Sequence, residues 1–128
     1  MTIVEQPSTE ASLLPAGWVR VCAVADLEVE RGRAALLGTT QIALFLLHSG
    51  RVHAVSNLDP YSGAHVISRG IVGTRQDAPT VASPMYKQVF DLVSGLCLDD
   101  ATVSLRVFPV EVLDGVVHVL SPALSGSG

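Results

Sequence analysis

The chain alternates short apolar runs with turn signals at intervals of roughly ten residues, the spacing that an antiparallel sandwich or barrel produces. Residues 18–23 form a β-branched and apolar run. Residues 41–47 are almost wholly apolar, and Ser49-Gly50 separates them from the apolar positions of 52–55, so a hairpin is predicted there. A second hairpin is predicted from 89–93, Ser94-Gly95 and 96–98. A third comes from 103–112, Asp114-Gly115 and 116–120. Asp-Gly is the strongest of these turn signals, because a tight two-residue turn needs positive φ at both central positions. Only residues 23–30 and 31–37 offer a helical alternative, which Gly32 interrupts. The stretch 57–79 departs from the rhythm. Pro60, Gly63, Gly70 and Gly73 precede Pro79 and predict a long loop without regular strands. Loops of that length inside a compact domain usually serve a function.

Length and composition agree with one small, well-filled domain. A chain of 128 residues can bury roughly two thirds of the surface its unfolded form exposes. With 48% hydrophobic and 16% charged residues it has the means to fold, and its few aromatics leave Val, Leu, Ile and Ala to fill the core. Residues 1–15, with Pro7 and Pro15, read as a flexible leader, 16–120 as the folded domain, and 121–128 as a flexible Ser/Gly-rich tail.

Charge excludes several function classes. The formal net charge is −4 with only eight Lys and Arg, which gives no footprint for nucleic acid or an anionic membrane surface. No apolar run approaches the length of about 20 residues that spans a bilayer, and residues 1–10 lack the basic start of a secretory signal. The expected compartment is the cytosol. There Cys22 and Cys97, which have no CxxC partner, are expected to be buried or partly buried thiols. His48, His53, His65 and His118 are expected to be solvated or hydrogen-bonded turn residues; His48 and His53 flank one turn, but no third ligand is suggested.

Two segments carry a resemblance. Asn57-Leu58-Asp59-Pro60-Tyr61 and Ser83-Pro84-Met85-Tyr86-Lys87, the second followed by Phe90-Asp91 and Ser94-Gly95, resemble the two boxes of Rieske-type domains. The chain is similar to a Rieske-like antiparallel β-sandwich or barrel with a smaller, loop-rich subdomain of the cluster-binding type at 57–92. On that frame Asp59 and Ser83 stand at the cysteine places, and Tyr61 and Tyr86 at the histidine places. A Rieske 2Fe–2S centre needs two thiolates and two imidazoles, and hard oxygen donors suit it poorly. Both Cys22 and Cys97 lie outside the two boxes. With Ser68-Arg69-Gly70-Ile71-Val72, Ala82-Ser83-Pro84 and the run from Gly95 to Asp100, the chain most resembles the small subunit of assimilatory NAD(P)H-dependent nitrite reductase.

That resemblance implies a non-catalytic subunit with no cofactor of its own. Its partner would be a large subunit carrying FAD, an iron–sulfur cluster and sirohaem, which reduces nitrite to ammonium. It brings no catalytic residue. The rings of Tyr61 and Tyr86 are expected to fill the space a cluster would take, with hydroxyls bonded to backbone or Asp59. Pro60, Tyr61, Arg69, Pro84, Met85, Tyr86 and Lys87 are expected to form a semi-apolar partner-binding tip, and Asp99-Asp100 a turn or acidic edge. Two other functions stay open: an electron carrier with altered ligands, and a stand-alone Rieske-like binding module.

Overall fold

The computed structural model describes residues 16–121; the leader and residues 122–128 lie outside them. Ten strands follow one another: β1 (Trp18–Ala23), β2 (Arg33–Leu37), β3 (Thr40–Leu46), β4 (Val52–Ser56), β5 (Ile71–Arg75), β6 (Ala78–Ala82), β7 (Val89–Asp91), β8 (Val107–Phe108), β9 (Val110–Leu113) and β10 (Val116–Leu120). They form three antiparallel sheets, ordered β1-β10-β9, β2-β3-β4-β8 and β5-β6-β7. The mostly β, antiparallel expectation is met.

The four-stranded sheet lies between two cores. Side chains alternate across a strand, so Ile42, Leu44 and Leu46 of β3 enter a core shared with Val117 and Val119 of β10. Ala43, Phe45 and Leu47 enter the other, with Ile67, Val81, Phe90, Leu92, Cys97 and Leu105. A strand covered on both faces needs no polar alternation, which is why 42–47 reads as one unbroken apolar run. The second core carries the loops that matter below.

Several segments differ from the sequence expectation. Residues 31–37 contain strand β2, paired with β3 from Arg33↔Leu44 to Leu37↔Thr40, and 23–30 contain only a single 3₁₀ turn, Val24–Asp26. The hairpin turn responsible, Gly38-Thr39, has Gly38 at φ 66°. The stretch 57–79 is not one loop. It holds a 3₁₀ turn at Ile67–Arg69, then β5 and the start of β6. Residues 96–98 make only isolated bridges, Leu96↔Ser104 and Phe90↔Cys97, rather than a strand. In 103–112 the strand begins only at Val107, and Pro109 separates β8 from β9. The Asp114-Gly115 turn is as expected, with φ of 51° and 76°. Ser121, expected in the loose tail, is buried, and its amide donates to the Gly17 carbonyl at 2.7 Å.

Candidate functional site: two matched loops and the bond between them

The loop after β4 and the loop joining β6 to β7 share one hydrogen-bonding plan. In the first, the Asp59 amide donates to the Ala64 carbonyl and the Gly63 amide to the Asp59 carbonyl, both at 2.8 Å. The carboxylate Oδ1 of Asp59 accepts the Tyr61 amide at 2.8 Å. In the second, the Ser83 amide donates to Gln88 at 2.9 Å and the Lys87 amide to the Ser83 carbonyl at 3.0 Å. The Ser83 hydroxyl oxygen accepts the Met85 amide at 3.2 Å. Each loop thus begins on a short side-chain acceptor and closes through a residue four positions on with positive φ: Gly63 at 79° and Lys87 at 64°. Short oxygen-bearing side chains favour such local turns. Residues 91–96 repeat the plan: the Gly95 amide donates to the Asp91 carbonyl at 2.7 Å, and Asp91 Oδ1 accepts the Val93 amide at 2.7 Å.

The two loops meet through their first residues. The Ser83 hydroxyl donates to Asp59 Oδ2 at 2.5 Å. Both residues are buried, Asp59 at 0% exposure and Ser83 at 2%. Burial alone would push the Asp59 carboxyl up. The hydrogen bonds from Ser83, Tyr61 and Ser62 outweigh it and hold the carboxyl below its ordinary value, since donors to the charged form favour that form. Bonds to a charged partner are worth about 1.5–3 kcal/mol, and an orphaned one costs at least as much. The pair is fully satisfied.

Asn57, just ahead of the first loop and 1% exposed, anchors its far side. Its Oδ1 accepts the Ser68 amide at 2.7 Å, and its Nδ2 donates to the His65 carbonyl at 3.2 Å and to Gln41 Oε1 at 3.3 Å. Gly32 lies so close to this segment that a Cβ would meet the Ser68 carbonyl oxygen at 2.2 Å. Arg69 is thereby presented on a braced turn. With Arg31, Gly32, Gly70 and Ile71 it borders an open notch of about 470 Å³.

The two tyrosines part company. The Tyr61 ring tilts against Phe90, with centroids 6.4 Å apart. Its hydroxyl lies 3.5 Å from both Cys97 Sγ and Asp100 Oδ2. Those neighbours replace the expected Asp59, and the Cys97 bond, burial and the Asp100 charge push the phenol well above its ordinary range. Tyr86 does not pack inward. It is 58% exposed, beside exposed Met85, Pro84 and Lys87. Its loop closes on its own backbone and leaves the ring outside. Pro60 is exposed too. Leu58 and Leu98 are also exposed; their polar neighbours Asn57, Asp59, Asp99 and Asp100 were the one sign of it in sequence. Asp99 Oδ2 accepts the Val89 amide at 3.1 Å, while Asp100 accepts the Thr102 amide and hydroxyl.

The remaining candidates do not assemble. Cys22 is half-buried and Cys97 buried, both as free thiols. His48 is exposed, 3.7 Å from Glu30. His53 and His118 depart from the solvated-turn expectation: each lies within a strand, with a buried ring nitrogen that has no partner. His118 lies on the face of β10 opposite to Val117 and Val119 and is still buried, at 3% exposure, and burial pushes the His53 imidazole down. Among the described residues, no three His, Cys, Asp or Glu side chains converge as metal ligands.

Comparison with known proteins places this geometry. Residues 17–120 match the Rieske-like [2Fe-2S] domain family. The nitrite reductase (NADH) small subunit of Escherichia coli strain K12 is 42% identical over 103 residues, which cover 80% of this chain and 95% of that subunit. The chain belongs to the nitrite reductase small-subunit family. A solved candidate member from Mycobacterium tuberculosis, described as NADH-dependent, is 49% identical, with a TM-score of 0.77 over 80% of this chain and 92% of its own. A longer relative is the nitrite reductase [NAD(P)H] large subunit of Klebsiella oxytoca. It is 38% identical over 110 residues, which are 86% of this chain but 11% of that protein.

The domain family's cluster does not fit this family member's donor set. Asp59 Oδ2 and the Ser83 hydroxyl are engaged with each other, the Tyr61 hydroxyl faces Cys97 and Asp100, and Tyr86 lies exposed. A carboxylate, an alcohol and two phenols are also the wrong donors for iron that sulfide already bridges.

Proposed function

We propose that the chain is the small subunit of an NAD(P)H-dependent nitrite reductase in nitrate assimilation, acting in the cytosol, and that it works by binding the large subunit rather than by carrying electrons. The observation that carries this reading is the double occurrence of the module: as a separate small subunit in one relative and within a large-subunit polypeptide in another. A domain that can be joined to the larger protein is expected to work against its surface. The large subunit is expected to hold FAD, sirohaem and an iron–sulfur cluster and to perform the reduction of nitrite to ammonium. A negative net charge, and the lack among the described residues of a helix long and apolar enough to cross a membrane, are consistent with that partner.

The binding surface is the loop tip: Pro60 and Tyr61 on one loop, Pro84, Met85, Tyr86 and Lys87 on the other, with Arg69 at its flank. Exposed apolar and aromatic side chains grouped on braced loops are the composition of an interface centre. The purified large subunit, assayed for nitrite-dependent NAD(P)H oxidation with and without this chain, tests the assignment. Addition is expected to raise activity or stabilise the enzyme, and an indifferent large subunit would refute it. Met85→Ser combined with Tyr86→Ser is expected to weaken binding at least tenfold with an unchanged melting temperature, because neither side chain supports the core.

A further inference from the structure

We infer that the Asp59–Ser83 hydrogen bond does the mechanical work that a metal ligated from both loops would do, locking two separate loops into one rigid tip.

The backbone leaves this task to side chains. The first loop continues from β4 in the four-stranded sheet, and the second joins β6 to β7 in a different sheet. Among the described residues, no backbone hydrogen bond passes between 58–65 and 83–88; each loop closes on itself. Two self-closed loops can keep their shapes and still shift against each other. A metal ligated from both would prevent that, and so does the 2.5 Å bond between Ser83 Oγ and Asp59 Oδ2.

The bond is also built to persist. Asp59 Oδ1 is engaged by the Tyr61 and Ser62 amides, and Ser83 Oγ by the Met85 amide. Neither residue can turn away without abandoning its own loop. Both lie out of water, where no solvent competes for the bond and an orphaned carboxylate would be costly. The Tyr61 hydroxyl adds a second tie from the first loop to the 97–100 segment, and that segment holds β7 through the Leu98 amide and the Asp99 carboxylate. The tip is therefore ordered before any partner arrives, which lowers the entropy cost of docking.

Amide hydrogen exchange on the isolated chain tests the lock without any partner. Ser83→Ala is expected to speed exchange at Tyr61 and Gly63 as well as at Met85 and Lys87, at least tenfold, while Leu44 and Val119 in the sheets stay unchanged. Asp59→Asn keeps an oxygen for the Tyr61 amide and is expected to fall between wild type and Ser83→Ala. Should Ser83→Ala fail to fold, Asp59→Asn alone decides by the same loop-to-loop criterion. A response confined to 83–88, or a wild-type exchange pattern altered by EDTA, overturns the inference. A second arm rests on the subunit reading: Ser83→Ala is expected to bind the large subunit about tenfold more weakly. Loosened loops with undiminished affinity would refute docking through the tip and leave the lock standing.

Discussion

Lys87 occupies a backbone position that few side chains tolerate. Its φ of 64° closes the second loop as Gly63 closes the first, yet a Cβ in the left-handed region costs roughly 1–2 kcal/mol. Glycine would remove that strain, and its own greater loss of freedom on folding, about 0.5–1 kcal/mol, would offset part of the gain. Lys87→Gly is therefore expected to raise stability by about 0.5 kcal/mol in urea unfolding, and a lower midpoint would contradict this account of the loop. Asp59 makes a prediction in pH. Its folded carboxyl titrates below the ordinary value of 3.8, so the unfolded chain takes up the proton first. The contribution is complete at neutrality, and it fades as pH falls below about 4 and through the folded value. Asp59→Asn should flatten the acid limb of a stability profile taken from pH 5 to pH 2.5; an unchanged limb would show that other groups govern it.

Among the elements, the β5–β6 hairpin shows where sequence reasoning stopped short. Its turn is Gln76-Asp77, with φ of 53° and 69°, the geometry that Asn-Gly satisfies most easily. Gln76→Asn with Asp77→Gly is expected to stabilise the chain by about 1 kcal/mol, since Asn tolerates positive φ better than Gln and Gly adopts it freely, and a fall in melting temperature would argue against that turn. The same chemistry explains why the hairpin was hidden. Gln-Asp carries no turn signature, Gly73 falls inside β5 and Pro79 inside β6, and both residues normally argue against strands. Pro79 is accommodated at the pairing Thr74↔Pro79, where its carbonyl still accepts the Leu92 amide. The Asp114-Gly115 and Ser49-Gly50 hairpins, by contrast, were legible from the turn residues alone. At the loops, the types of residue at 59, 61, 83 and 86 already spoke against a 2Fe–2S centre. The bond between Asp59 and Ser83 was not legible, because residues 24 positions apart meet only through tertiary packing. The outward turn of Tyr86 is hidden for the same reason: nothing local says that its loop closes without the ring.

At the scale of the molecule, each part is carried by the one before it. A sandwich of two sheets supports the third sheet, the third sheet and β4 support the matched loops, and the loops present Pro60, Pro84, Met85 and Tyr86. Binding surfaces positioned by a stiff scaffold lose little freedom on docking. Both the E. coli relative and the M. tuberculosis structure match nearly their full length, so the same scaffold is expected behind the tip in each.

Strand β3 belongs to both cores at once, giving Leu44 to one and Phe45 to the other. It is a party wall: neither room can fall without opening the other. The chain should therefore denature in a single step, with no state in which the loop half is molten while the sandwich stands. Trp18 fluorescence on the sandwich side and the signal of Tyr61 on the loop side report the two rooms separately, and their urea curves are expected to superimpose. Curves that split would mean the wall can be breached from one side alone.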